Sequence, residues 1–351
     1  MTGIVPVSKI TLEDLIDLGP HQLADYLAER LKVLVEELKE DFERAYAPNT
    51  LRTWRADWRM WTDYCRRTDT PVLPATVDSL RTFLQDRIAA NRKRATIEHY
   101  LATLALVHRL AELPWPLATE RGRLMWRGIR RSLPKRQRQA APLRRDLIDE
   151  VVSAMKFDSP ADLRDAALLY VAAETGCRRS ELVSLAREHL TIERDGSGRI
   201  LLPWSKTDQE QEGKVIALFP ETMGFLLRWL EHAEITSGAL FRSIPRIAKE
   251  LDPAKTPLPG RYAWPLSDRD VARIFQRRVK RTHGEIAATG ISGHSTRVGL
   301  AQDLVDAGFS TEKVKQQGRW SSDRMVTRYS ENIAAGESAM MAFLKQRKGT
   351  K

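Results

Sequence analysis

A stretch near the middle of the chain decides how the rest can fold. Between Arg121 and Arg145 there are ten basic residues and no acidic one. Its centre, Ser132 to Pro142, holds two prolines and few apolar side chains. Such a segment cannot run through a core, where unpaired charges are costly, nor can a helix continue through its prolines. It reads as a linker, and a basic one, suited to lie along a phosphate backbone. The 351 residues are long enough for two cores. We therefore expect a flexible arm over 1–20, a helical domain over 21–131, the linker over 132–142 and a second domain over 143–351.

Ahead of the linker every period is helical. Leu23 to Ala45 reads as an amphipathic helix, and Pro48-Asn49 then breaks the chain with Asn49 as an N-cap. In the next helix Leu51, Trp54, Trp58, Trp61 and Cys65 recur at helical spacing and face inward. Arg52, Arg55, Arg59 and Arg66 line the other side, with Asp57 and Asp63 the exceptions. A solvated face usually alternates signs, so this one favours phosphate. A helix from Thr76 to Ile88 follows. The next opens on the basic cluster Asn91-Arg92-Lys93-Arg94 and carries Ile97, Leu101, Leu104 and His108, the last read as core-edge packing. With a helix from Ala118 to Arg131 these make a small bundle of four or five.

Composition narrows the function. A net charge of +11 and a pI near 9.7 suit a protein that meets a polyanion, nucleic acid first. Cys65 and Cys177 are too few for a disulfide framework or a zinc site and fit a reducing cytosol. No run is apolar enough for a membrane span or a signal peptide, so the expected location is cytoplasmic and no membrane partner is expected. Phosphate-loop, dinucleotide and metal-ligand spacings do not occur, and neither a cofactor nor a metal is expected.

Beyond the linker, apolar helices from Asp146 and from Ala161 to Ala173 lead to a stop at Gly176. Arg178, Arg179, Ser180 and Glu181 open a short helix directly after it. The period then changes to that of strands: Thr191 to Glu193, a turn at Asp195 to Gly198, Arg199 to Pro203, and Val215 to Leu218. Lys206 sits in the polar turn past the second strand. After a helix from Thr222 to Ala233 and a Pro-rich loop from Pro245 to Pro265, Ser267 and Asp270 have capping-box spacing. The helix they start points Val271, Ile274, Phe275 and Val279 inward. Arg269, Arg273, Arg277 and Lys280 share another face, the pattern of a helix laid into a DNA major groove.

His294 and Arg297 are three apart at a helix start and project from one face. An imidazole and a guanidinium there suit an anion with several oxygens. That helix runs to a cap at Gly308, and a second from Ser310 ends at Gly318. Trp320 follows, and Tyr329, nine positions on among polar neighbours, is a possible nucleophile. Singly, each has an ordinary reading: Arg178 an exposed helix-end charge, Lys206 a solvated turn, His294 a cap, Trp320 and Tyr329 packing. The constellation carries the case.

In order and context, Arg178, Lys206, His294, Arg297, Trp320 and Tyr329 resemble the active-site signature of the tyrosine recombinases, the phage integrase family. Ser-Gly-His-Ser-Thr-Arg-Val-Gly at 292–299 and Gly-Arg-Trp at 318–320 match most closely. Thr-Gly-Cys-Arg-Arg-Ser-Glu-Leu at 175–182 adds the first arginine, with Glu181 at the supporting carboxylate. The similarity runs from about 45 to about 345. Trp320 stands where many members have a histidine. Arg269 matches a base-reading arginine, and Ala287 replaces an arginine of a phage member, which implies a different target sequence.

The resemblance implies a mainly α fold with a small antiparallel sheet. A core-binding, SAM-like helical bundle would precede the catalytic domain. It implies site-specific cleavage and rejoining of DNA through a 3′-phosphotyrosine and a Holliday junction, without metal or ATP. Arg178, Glu181, Lys206, His294, Arg297, Trp320 and Tyr329 would be the catalytic set. Arg52, Arg55, Arg59, Arg94, Arg136, Arg269, Arg273 and Arg277 would contact DNA. The partner would be duplex DNA with inverted half-sites, bound by a homodimer per site and a homotetramer in the synapse. A terminal helix, Glu337 to Lys345, would dock in the next protomer after a Gly336 hinge. A type IB topoisomerase or telomere resolvase shares this chemistry, and a DNA-binding protein without catalysis shares the charge.

Overall fold

Local chemistry sets the helix starts. The computed structural model describes residues 27, 29, 33, 34, 36–134, 136, 138–203, 213–244, 258–336, 340, 341, 343, 344 and 347. The chain divides into two units, residues 1–137 and 138–351. The expected N-terminal arm and most of the helix from Leu23 lie outside the described residues.

In the first unit the helices are α1 (Lys39–Ala45), α2 (Pro48–Thr68), α3 (Val77–Ala89), α4 (Arg94–Leu110) and α5 (Glu120–Ser132). Proline starts α2, where its missing N–H has no bond to lose. The cap is Ala47 rather than the expected Asn49, whose side chain accepts from Arg52 at 2.8 Å inside the first turn. Thr76 and Ser79 form a reciprocal capping box at α3. Phe83 sits edge-on to Trp61, Tyr64 and Tyr100 at the centre, Trp61 and Tyr64 stack, and the Trp61 indole N–H donates to Val72 O at 3.0 Å.

Two polar residues correct the sequence reading of this bundle. Asp57, expected on the basic surface, is buried and accepts from His99 Nδ1 at 2.5 Å and Thr103 Oγ1 at 2.8 Å. His108 lies wholly inside rather than at the core edge. Its Nδ1 donates to Leu104 O at 2.8 Å and its Nε2 accepts from the Ala75 N–H at 3.1 Å.

The second unit comprises α6 (Arg145–Ser153), α7 (Pro160–Thr175), α8 (Arg179–Ser184), β1 (Leu190–Ile192), β2 (Gly198–Leu202), β3 (Lys214–Leu218), α9 (Pro220–His232), α10 (Asp268–Ala288), α11 (Ser295–Asp306), α12 (Thr311–Gly318) and α13 (Asp323–Gly336). Helix α7 is its axis. Residues 166–172 are all buried, and the alanines among them let neighbours approach from several sides. The antiparallel sheet runs β1-β2-β3, with Ile200 opposite Leu190 and Ile216, all three buried. Ser267 caps α10, and Val271, Ile274, Phe275 and Val279 are buried as their period requires.

Helix α13 continues through Tyr329 to Gly336, so Gly336 lies in a helix instead of in a loop. The helix expected over Glu337 to Lys345 lies partly outside the described residues; Met340, Met341, Phe343 and Leu344 are exposed. The molecule is thus mainly α with one small antiparallel sheet. Among the described residues no helix is long and apolar enough to cross a membrane.

Candidate active site

Gly176 ends α7 in the left-handed conformation, φ 56°, which costs glycine nothing and turns the chain into Cys177 and Arg178. Arg178 stands at the N-cap of α8. Its backbone N–H donates to Glu181 Oε2 at 2.9 Å and its Nη1 to Oε1 at 2.6 Å. Glu181 is buried, which opposes its ionisation. The Arg178 N–H and guanidinium, with Arg319, outweigh that and hold its carboxyl below the usual range. The other guanidinium N–H groups of Arg178 meet no acceptor among the described residues.

Helix α11 brings His294, at its N-cap, and Arg297 to one face. Arg297 is buried. Its Nη2 donates to Gly318 O at 2.8 Å and its Nη1 to Gly176 O, so one side chain ties the ends of α7 and α12 together. Burial, then the Arg178 and Arg319 charges, push its pKa down to about 10 against the pull of Glu181. It stays a cation at neutral pH. The His294 imidazole makes no cap bond and is open to solvent on one side. Desolvation by the chain around it, then Arg297, Arg178 and Arg179, lower its pKa, which favours the neutral ring.

Past α12 the chain turns back on itself. Arg319 is left-handed at φ 54°, and the ring of Trp320 folds onto Gly318, where a β-carbon would collide with it. The Arg297 guanidinium carbon lies 5.1 Å from the Trp320 ring centroid. Trp320 is buried, and its indole N–H finds no acceptor among the described residues. Tyr329 projects from α13 with its ring edge-on to Trp320, centroids 5.5 Å apart. It is half-buried rather than in the exposed setting its polar neighbours suggest. Gln302 on α11 donates to the Tyr329 carbonyl at 3.0 Å.

Four elements thus gather Arg178, Glu181, His294, Arg297, Trp320 and Tyr329 from positions up to 151 residues apart. Lys206 lies outside the described residues. One participant escaped the sequence reading: Arg319, inside the Gly-Arg-Trp motif, is buried and donates to Glu181 Oε2 at 3.0 Å. The motif displays the residue, but neither its backbone hand nor its partner.

The expected DNA contacts are unevenly placed. Arg52, Arg55 and Arg59 are exposed on α2, Arg94 pairs with Glu98 at 2.9 Å, and Arg136 is exposed. In the second unit Arg269 and Arg273 are exposed on α10, with Arg273 3.1 Å from Asp270. Arg277 is half-buried and anchored inward on Asp165 at 3.0 Å.

Known proteins resemble this chain in sequence and in fold. The model of the phage integrase family matches residues 143–335, and that of the phage integrase N-terminal SAM-like domain matches 35–112. An integrase/recombinase XerD homolog of Selenomonas ruminantium is 28% identical over 307 residues, 84% of each chain. Recombinase Cre of Escherichia phage P1 is 26% identical over 313 residues, 86% of this chain and 89% of Cre. In fold the chain is similar to the Tn1549 transposon integrase in complex with a circular intermediate DNA. The TM-score is 0.62 at 14% identity, covering 91% of this chain and 98% of that one. The catalytic-domain match spans more than half the sequence and takes in every residue gathered above, and the chain belongs to the phage integrase family, the tyrosine recombinases.

Proposed function

We propose that the protein is a site-specific DNA recombinase that cuts and rejoins duplex DNA through a 3′-phosphotyrosine, in the manner of Cre. One observation carries the reading: Arg178 and Arg319 pair with a single buried carboxylate and Arg297 adds a third positive charge within its field, beside a tyrosine and an indole N–H that has no acceptor among the described residues. A phosphodiester supplies the missing negative charge. Attack on its phosphorus builds more charge on the non-bridging oxygens, and donors already aimed at them lower the barrier. Arg178 and Arg297 grip those oxygens, and His294 and Trp320 Nε1 complete the ring of donors.

The Tyr329 hydroxyl gives its proton up to solvent, its Oη forms the new bond to phosphorus and the P–O5′ bond breaks, leaving a 3′-phosphotyrosine and a free 5′-hydroxyl. The leaving oxygen needs a proton, and Lys206 is assigned as its general acid from its place between β2 and β3. The energy of the broken ester is kept in the new one, so a 5′-hydroxyl from a second duplex reverses the step without ATP. Arg52, Arg55, Arg59 and Arg94 on the first domain, Arg136 in the linker and Arg269, Arg273 and Arg277 on α10 hold the half-site. A homodimer fills one site. The exposed Met340, Met341, Phe343 and Leu344 dock in the next protomer and close a tetramer around a Holliday junction.

Selection from random duplexes yields the target, and a plasmid carrying two selected sites is then the test. Deleted or inverted product is the expected result. Relaxed plasmid without exchange would assign a type IB topoisomerase, and binding without any covalent adduct would leave a DNA-binding protein.

A further inference from the structure

Arg319 holds a left-handed backbone, φ 54°, at the end of α12. Glycine or asparagine ordinarily takes such a position, because a β-carbon crowds the following carbonyl there. An arginine at a helix end also ordinarily swings its charge into water. Here the side chain turns inward and only 7% of it is exposed. Nη1 donates to Thr175 O at 3.0 Å, and Nη2 to Glu181 Oε2 at 3.0 Å and to Cys177 Sγ at 3.5 Å. Two unfavourable choices, of backbone and of burial, thus serve three contacts, among them the one to Glu181.

That contact alters what Glu181 can do for Arg178. Left to themselves, a carboxylate and a guanidinium close into a two-pronged pair. Glu181 instead gives Oε1 to Arg178 Nη1, while Oε2 is divided between the Arg178 backbone N–H and Arg319. We infer that Arg319 is a positioning residue. By occupying Oε2 it keeps Glu181 from closing on Arg178 and leaves the remaining Arg178 N–H groups turned toward the phosphate. It also precedes Trp320, whose ring meets both Tyr329 and Arg297. The same clamp therefore holds the nucleophile's support and the first arginine in one frame. The inference rests on the recombinase reading and deepens it.

Arg319→Gly is the test, because glycine keeps the left-handed turn at ease and only the guanidinium is lost. The full-length protein is assayed for adduct formation on a nicked suicide duplex of the selected site, and on the same duplex with a methylphosphonate at the scissile position. With only 7% of its side chain exposed, Arg319 is not placed to contact DNA, so half-site affinity should stay within about twofold of the parent. Cleavage of ordinary DNA should fall about ten- to hundredfold. The methylphosphonate has lost a charged oxygen and asks less of Arg178, so there the deficit should shrink to about threefold or less. Arg319→Lys, which keeps the charge but not the fork, should fall between the two on ordinary DNA and show the same narrowing.

A role in folding alone would give one factor on both substrates. Equal deficits in either variant, or parental rates in Arg319→Gly, overturn the inference while the recombinase reading stands. A parent that forms no adduct on any selected DNA overturns both.

Discussion

Two clusters of arginine and carboxylate in the second unit are made of the same groups and differ in their arithmetic. Between α7 and α10, buried Arg164 and Arg278 face buried Asp162 and Asp165. Asp165 Oδ1 takes Nε and Nη2 of Arg164 at 3.0 and 2.7 Å, and Oδ2 takes Arg278 Nε at 2.8 Å. Arg278 reaches Asp162 as well, and Arg277 joins from the surface. Buried charges there balance. Around Glu181, Arg178 and Arg319 share one carboxylate, Arg297 adds a third positive charge within its field, and Trp320 Nε1 and Arg319 Nε have no acceptor among the described residues. An uncompensated buried charge costs several kcal/mol. Such a surplus is what the proposed phosphate would relieve, whereas the balanced cluster is a joint between two helices.

Removing the nucleophile should separate the two most completely. Tyr329→Phe keeps the ring against Trp320 and so the packing, yet adduct on suicide DNA should vanish while half-site binding remains. Persistent adduct in that variant would transfer the nucleophile elsewhere. In the balanced cluster the effect should fall on stability instead. Asp165→Ala leaves Arg164 and Arg278 short of their anion and should cost about 3–5 kcal/mol, read by urea unfolding. The fraction still folded should cleave at the parental rate. A cleavage defect without a stability loss would make that cluster part of the site.

A single donor is a finer probe. Trp320→Phe keeps an aromatic face for Tyr329 and Arg297 but removes the indole N–H. One hydrogen bond to a charged group is worth about 1.5–3 kcal/mol, so cleavage should slow roughly ten- to hundredfold with DNA binding unchanged. An unchanged rate would mean that the N–H never meets the phosphate.

The smallest effect separates two histidines along the same line. His294 is left open beside cations, whereas His108 has both ring nitrogens taken by backbone. Burial, against the Leu104 bond, lowers the His108 pKa below the ordinary imidazole value of 6.5. Below pH 6.5 the unfolded chain therefore binds the proton that the folded one refuses. The His108 contribution is present above that pH and is lost as pH falls through it. Between about pH 7.5 and about pH 5 the parent should lose more stability than His108→Gln. Equal losses would mean that this ring takes up its proton without opening the core.

What the sequence made legible was whatever repeats along it. The inner face of α10 and the Trp61 side of α2 follow from apolar spacing, and the stop at Gly176 from glycine's freedom at a helix end. What stayed hidden depends on partners far away in the chain. Asp57 looked like a solvated acid because His99 and Thr103, which bury it, come 42 and 46 residues later. Nothing local marks Arg278 or Arg319 for burial, for the same reason. A cation's default is water, and only the fold supplies a reason to override it. At Asn49 two capping signals competed, and proline at the first helical position won. The site residues were legible through a motif whose members the periodicity of the chain gives no cause to bring together.

The claim that the cation surplus awaits a phosphate attacked by Tyr329 can be met directly. A suicide duplex of the selected site is incubated with the full-length protein, the adduct is digested, and the peptide carrying the nucleotide is sequenced by mass spectrometry. The account predicts a 3′-phosphate esterified to Tyr329 Oη, formed by the parent and by no Tyr329→Phe protein. A nucleotide on any other side chain, or a bound and intact duplex with no adduct, would contradict it.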